Sequence, residues 1–145
     1  MADAPLVVGW REWLRLPALG IPAIKAKVDT GARSSALHVD RLEAFSVGGA
    51  PWVRFSLRPA SAIATIEAEA PVLDRRPVTD SGGRTSERPF IVTDVELAGR
   101  RWPIEVNLTS RTNMLFPMLL GRTAMAGRLW VDPARSYCLG TPDDP

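Results

Sequence analysis

Asp29, Thr30 and Gly31 come directly after a stretch in which Ile24, Ala26 and Val28 alternate with Lys25 and Lys27. That alternation predicts a half-buried strand ending at Asp29. A carboxylate at a strand end, in a turn that needs glycine, is well placed in a cleft. The chemistry it suits is acid–base activation of water. Two such carboxylates held close cannot both ionise, so they share one proton. One then takes a proton from water while the other protonates the carbonyl oxygen under attack. The tripeptide alone decides little, because Asp-Thr-Gly also suits an aspartate that caps a turn.

A second feature lies further along the chain. Leu119-Leu120-Gly121-Arg122 lies 92 residues beyond Asp29, counted to Gly121, and a short helical segment is expected over 123–128. One chain supplies one Asp-Thr-Gly, so a pair of aspartates requires a second copy, and a two-fold homodimer would bring the two loops to its axis. Asp80-Ser81-Gly82 is the internal competitor. It lies only 51 residues after Asp29, too close for a second lobe, and Arg75–Thr79 makes a poor buried strand.

The elements that must position these residues read as mostly β. Strands are expected at Trp52–Leu57, over a longer run from Ile63 to Val72, and at Phe90–Leu97 and Trp102–Leu108. Leu97-Ala98-Gly99-Arg100-Arg101 signals a hairpin between the last two. Met118–Leu120 is continuously apolar, which predicts burial on both faces. Trp130–Asp132 and Tyr137–Leu139 read as closing strands around a turn at Pro133, and Cys138 is expected buried in the second of them. The segment from 74 to 90 is polar and turn-rich with Gly82-Gly83 at its centre, a mobile loop or a long hairpin with a glycine tip.

Composition bounds the rest. The chain has 145 residues, 46% hydrophobic and 23% charged, which fits one globular domain over 1–145. One Cys excludes an internal disulfide and a thiolate zinc site, and one His excludes His-rich zinc motifs. Sixteen of the 18 basic residues are Arg, but they are scattered, so nucleic acid is not the expected partner. The N-terminus lacks a secretory pattern and no segment is long and apolar enough for a membrane span, which leads to the expectation of a soluble cytoplasmic protein.

Three stretches resemble one bacterial and archaeal family: LVVGWREWLRLPALGIPAIKAKVDTGARSSALH, then ERPFIVTDVELAGRRWPIEVNLTSR, then MLFPMLLGRTAM with VDP. This is the retropepsin-like aspartic peptidase family often labelled ATP-dependent zinc protease, whose members are associated with ATP-grasp ligases that add glutamate to a ribosomal protein. The resemblance runs from about Leu6 to Leu139. It implies an all-β, closed acid-protease barrel with one short helix, and hydrolysis of peptide bonds in a peptide or protein substrate. It implies that Asp29 is the catalytic aspartate, that Thr30 bonds its counterpart across the dimer, and that Gly31 lets the backbone approach substrate. Ala32 and Arg33 would extend that contact. The hairpin around Ser81, Gly82 and Gly83 would be a flap over bound peptide. Gly121 would pack under the catalytic loop and Arg122 would brace it.

One position departs from the family pattern. Retroviral proteases commonly carry an acidic residue two positions after the triad glycine, paired with the Arg of Gly-Arg. Here that position is Arg33, so Arg122 is expected to find another carboxylate in Glu105, Asp132 or Asp94. Arg33 facing the cleft would favour acidic peptide groups, since guanidinium binds carboxylate bidentately. The family label finds no support in the residues. There is no phosphate-binding Gly-rich loop, and His38 with Asp29 and Asp40 is the sole zinc set conceivable, so no cofactor and no metal are expected. A non-catalytic peptide-binding module partnering a ligase, and a metal-dependent hydrolase, are the alternative readings.

Overall fold

The computed structural model describes residues 4–110 and 115–140. In chain order the elements are β1 (Leu6–Val8), β2 (Arg11–Leu16), a 3-10 turn (Pro17–Leu19), β3 (Ile21–Val28), β4 (Ser35–His38) and β5 (Arg41–Val47). Then come β6 (Ala50–Leu57), β7 (Ile66–Pro71), β8 (Asp74–Thr79), β9 (Thr85–Leu97), β10 (Arg100–Thr109), β11 (Met118–Leu120), the one-turn helix α1 (Arg122–Met125) and β12 (Leu129–Val131). The chain is mostly β with one short helix, as expected.

The main sheet has the strand order β10-β4-β11-β3-β2-β9-β8, and β9 and β10 also pair with each other. β5-β6-β7 form a three-stranded sheet, and β1 pairs in parallel with β12. The interior follows the period-2 rule. From β2 the buried positions are Glu12, Leu14 and Leu16, and from β10 they include Trp102, Ile104, Val106 and Leu108. The β9–β10 hairpin turns at Ala98 and Gly99, both at positive φ (50° and 78°), the backbone that the expected hairpin requires. Trp102 Nε1 donates to the carbonyl of Ala124 at 3.0 Å, which ties α1 to β10.

Several expectations change. The Ile63–Val72 run shortens to β7, because Arg58 binds the carbonyls of Ser61 and Ile63 and holds the preceding residues as a loop. Tyr137–Leu139 is no strand. The N–H groups of Cys138 and Leu139 are taken by the Glu12 carboxylate and cannot join a ladder. Cys138 is accordingly half-buried with a free thiol, not sealed in a strand. Of the two forms expected for the 74–90 segment the long hairpin is the one found, made by β8 and β9, with Pro77 tolerated because β8 is the sheet's outer strand. Met118–Leu120 is buried at its two ends, with Leu119 half-exposed between them.

Candidate active site

Strands β3 and β11 and the β1–β2 connection converge on the Asp29 loop. The Val28 N–H donates to the Trp10 carbonyl at 2.8 Å, and the Asp29 N–H to the carbonyl of Leu120 at 2.9 Å. The carbonyl of Asp29 accepts from Ala32 N–H at 3.3 Å, and Asp29 Oδ1 accepts from Gly31 N–H at 2.9 Å. The turn therefore closes on the carboxylate itself. A Cβ at Gly31 would stand 3.2 Å from Asp29 Oδ1, so glycine keeps that oxygen uncrowded.

Arg122 clamps the loop from outside. Its Nη1 donates to the carbonyls of Thr30 (3.0 Å) and Gly31 (3.2 Å), while its backbone N–H reaches Ala32 O at 2.8 Å. Thr123 N–H adds a bond to Arg33 O at 3.1 Å. The expected carboxylate partner is thus replaced by loop carbonyls. Each candidate is engaged elsewhere: Glu105 with Arg76, Asp94 with Arg101, and Asp132 with the N–H of Ala134. Carbonyls suffice because a guanidinium fork needs acceptors, not a counter-charge, at a partly exposed site.

Gly121 packs hard against the same loop. A Cβ there would lie 2.5 Å from the carbonyl carbon and oxygen of Ser34. Backbone cannot yield as a side-chain tip can. Gly121→Ala is therefore expected to cost about 3 kcal/mol, seen as a lower urea midpoint with an unchanged slope. An unchanged midpoint would show that the loop moves freely.

Beneath the loop runs a buried polar chain that the sequence did not reveal. Arg88 Nη1 donates to Asn107 Oδ1 (2.9 Å), Asn107 Nδ2 donates to Ser35 O (2.9 Å), and Ser35 Oγ accepts from Gly121 N–H (3.1 Å). Ser35 and Asn107 are essentially fully buried and Arg88 is 7% exposed. The parallel β10–β4 pairing brings Asn107 and Ser35 together, and nothing local in the sequence announces it.

Two cavities flank the loop. One of about 440 Å³ is lined by Asp29, Gly31 and Ala32 on one side and by Thr79, Asp80 and Ser81 of the β8–β9 tip on the other. Lys27 and Arg88 also line it. A larger groove of about 1170 Å³ is lined by Arg33, Arg76, Val78, Phe90 and Glu105. Arg76 is committed within it. Hydrogen bonds to Glu105 first and Asp74 second raise its pKa further, and its guanidinium lies 4.3 Å over the Phe90 ring. The Arg33 side chain, exposed, has no partner among the described residues.

Of the residues singled out from sequence, Asp29, Gly31, Ala32 and Ser81 meet at one cavity and Arg33 borders the neighbouring groove. The exposed Thr30 lines neither, and nor do Gly82 and Gly83. Those glycines shape the tip: Asp80 Oδ1 accepts from the N–H groups of Gly82 and Arg84, and Gly83 has φ +83°. Asp80 is thereby a turn-forming residue. His38 Nε2 lies 3.5 Å from Asp40 Oδ1, but no group of three metal-binding side chains forms among the described residues. No helix among them is long and apolar enough to cross a membrane.

The family model described as "Retropepsin-like aspartic endopeptidase RimB" matches residues 7–142. The chain belongs to this RimB-like family. Two curated relatives extend the picture. A Shewanella halifaxensis protein named probable alpha-L-glutamate ligase is 42% identical over 146 residues, covering 99% of this chain and 32% of that protein. A Parasynechococcus marenigrum protein of the same name is 44% identical over 137 residues, covering 93% of this chain and 29% of its own length. The chain thus spans about a third of the curated relatives it matches. Among solved structures it is similar to a Legionella pneumophila protein of unknown function (DUF785), with a TM-score of 0.78 and 27% identity, covering 95% of this chain and 99% of that one.

Proposed function

We propose that this chain is an aspartic endopeptidase that works as a homodimer, with one Asp29 from each protomer forming the catalytic pair. The observation that carries the reading is a carboxylate at a cavity, on a loop fixed by Gly121 and Arg122 and faced by a hairpin tip. The strand circuit β10-β4-β11-β3-β2-β9, returning to β10, supports a closed acid-protease barrel. The β8–β9 hairpin would serve as the flap, and Thr30 would bond its counterpart across the two-fold axis.

In this mechanism the ionised Asp29 takes a proton from water as the water oxygen bonds the peptide carbonyl carbon. The protonated Asp29 of the other protomer gives its proton to the carbonyl oxygen. The tetrahedral intermediate then collapses as the C–N bond breaks: the nitrogen takes the proton that the first Asp29 removed from water, and a diol hydroxyl returns a proton to the second Asp29 as the new carbonyl forms. Because one aspartate must be ionised and the other protonated, kcat/KM against pH should be bell-shaped, and a flat profile would contradict the pair. Arg33 at the groove supports a preference for acidic peptide segments. The match to about a third of proteins named probable alpha-L-glutamate ligase supports an ATP-grasp ligase as working partner, and the proposed setting is the cytoplasm.

The test is cleavage of a mixed peptide library with chelator present. Fragments cut by wild type in the presence of chelator, enriched in acidic flanks, are expected. Cleavage abolished by chelator and restored by zinc would replace this mechanism with a metal-dependent one.

A further inference from the structure

The outward face of β2 and β3 carries an unusual charge arrangement. The two strands pair so that Arg11 stands opposite Lys27 and Trp13 opposite Lys25. Lys25 and Lys27 are the only lysines in the chain. Like charges directly opposite one another on a sheet repel and are normally avoided or offset by acids. Here no described carboxylate forms an ion pair with Arg11, Lys25 or Lys27, and the buried Arg11 Nε has no hydrogen-bond partner among the described residues.

Aromatic rings hold two of these cations in place. The Arg11 guanidinium lies 4.5 Å over the Trp10 ring and 4.8 Å from the Tyr137 ring, and Lys25 Nζ lies 5.5 Å over Trp13 and 5.9 Å from Tyr137. Rings engaged by cations orient those charges and are not open faces on which bases could stack. The track is also continuous with the Asp29 cavity, because Lys27 lines that cavity alongside Asp29. Leu119, the β11 partner of Lys27, continues the same surface inward.

We propose that this face is an exosite for an acidic segment of the polypeptide substrate, holding its carboxylates outside the Asp29 cavity that Lys27 also lines. Lys25 and Lys27 are two residues apart on one strand, so their side chains repeat at roughly 7 Å. An extended acidic peptide presents alternate carboxylates with the same repeat. Binding there would relieve the repulsion between Arg11 and Lys27 and would be screened by salt. The proposal rests on the peptidase reading for its purpose, but its binding chemistry does not depend on turnover.

The experiment is fluorescence anisotropy with fluorescein-labelled hexaglutamate on the full chain carrying Asp29→Asn. In this background Lys25→Gln with Lys27→Gln should weaken binding by about tenfold at low salt, with affinity falling as salt rises. Lys25→Arg with Lys27→Arg, which keeps the charge, should bind as the parent does. Equal affinity in the Gln pair, loss of affinity in the Arg pair, no hexaglutamate binding by the parent, or tighter binding of labelled oligouridylate would each overturn the exosite. Failure here leaves the cleavage test standing, and absence of cleavage leaves this binding test readable.

Discussion

Asp29→Asn is expected to lower the proposed peptide cleavage by about 10³-fold or more while leaving the fold intact. The expectation follows from what the substitution keeps and what it removes. The amide oxygen of Asn still accepts the Gly31 N–H bond now made to Asp29 Oδ1 at 2.9 Å, and the backbone bonds from Asp29 N–H and to its carbonyl are unaffected. What is lost is any group able to take a proton from water, a contribution of about 10²–10⁴ in rate for a single acid–base step. With both copies changed, neither half of the proposed pair can act. Cleavage measured beside the melting temperature separates the two effects. Full activity in the variant would remove Asp29 from the chemistry.

Glu12→Ala is the largest stability loss expected, about 4 kcal/mol. Glu12 is completely buried, yet it forms no ion pair among the described residues. Its Oε2 accepts from the N–H groups of Gly9 (2.7 Å) and Cys138 (2.9 Å), and its Oε1 from Leu139 N–H (3.2 Å). One side chain thus ties the residues entering β2 to a segment more than 120 positions away. Gly9 shows how tight the join is, since a Cβ there would come within 2.2 Å of Arg135 O. Bonds to a carboxylate are each worth about 1.5–3 kcal/mol, and removing the acceptor leaves three donors unsatisfied, although two of them are only half-buried and water recovers part of the loss. Urea unfolding measures it. Glu12→Gln should fall between the two, because it keeps an oxygen acceptor but presents an amide N–H₂ to one of the donors. A change below about 1 kcal/mol for Ala would mean that the 138–139 segment does not depend on this side chain.

Glu12 also shows why parts of the fold were hidden in the sequence. β3 and β6 could be read from alternation because each buries apolar side chains on one face. β2 could not, because its buried positions include a glutamate while its half-exposed ones include a tryptophan. β5 shows no alternation, being exposed along almost its whole length. β8, polar and interrupted by Pro77, lies outermost in the sheet, where neither feature is penalised. The candidate site divides in the same way. Asp29, Gly121 and Arg122 stand in short motifs whose backbone demands are local. The bond from Arg122 to two carbonyls, and the chain from Arg88 through Asn107 to Ser35, arise where distant strands meet, and residue type alone does not choose their partners.

The proposed enzyme needs two protomers, each contributing one Asp29 to a single site. Mixing wild-type chain with Asp29→Asn chain at constant total concentration, under conditions of subunit exchange, tests it most directly. If a site needs both aspartates, activity follows the square of the wild-type fraction, so an equal mixture retains about one quarter of full activity. Activity that falls only in proportion to the wild-type fraction, to about one half, would show that each protomer acts alone and would contradict the shared pair.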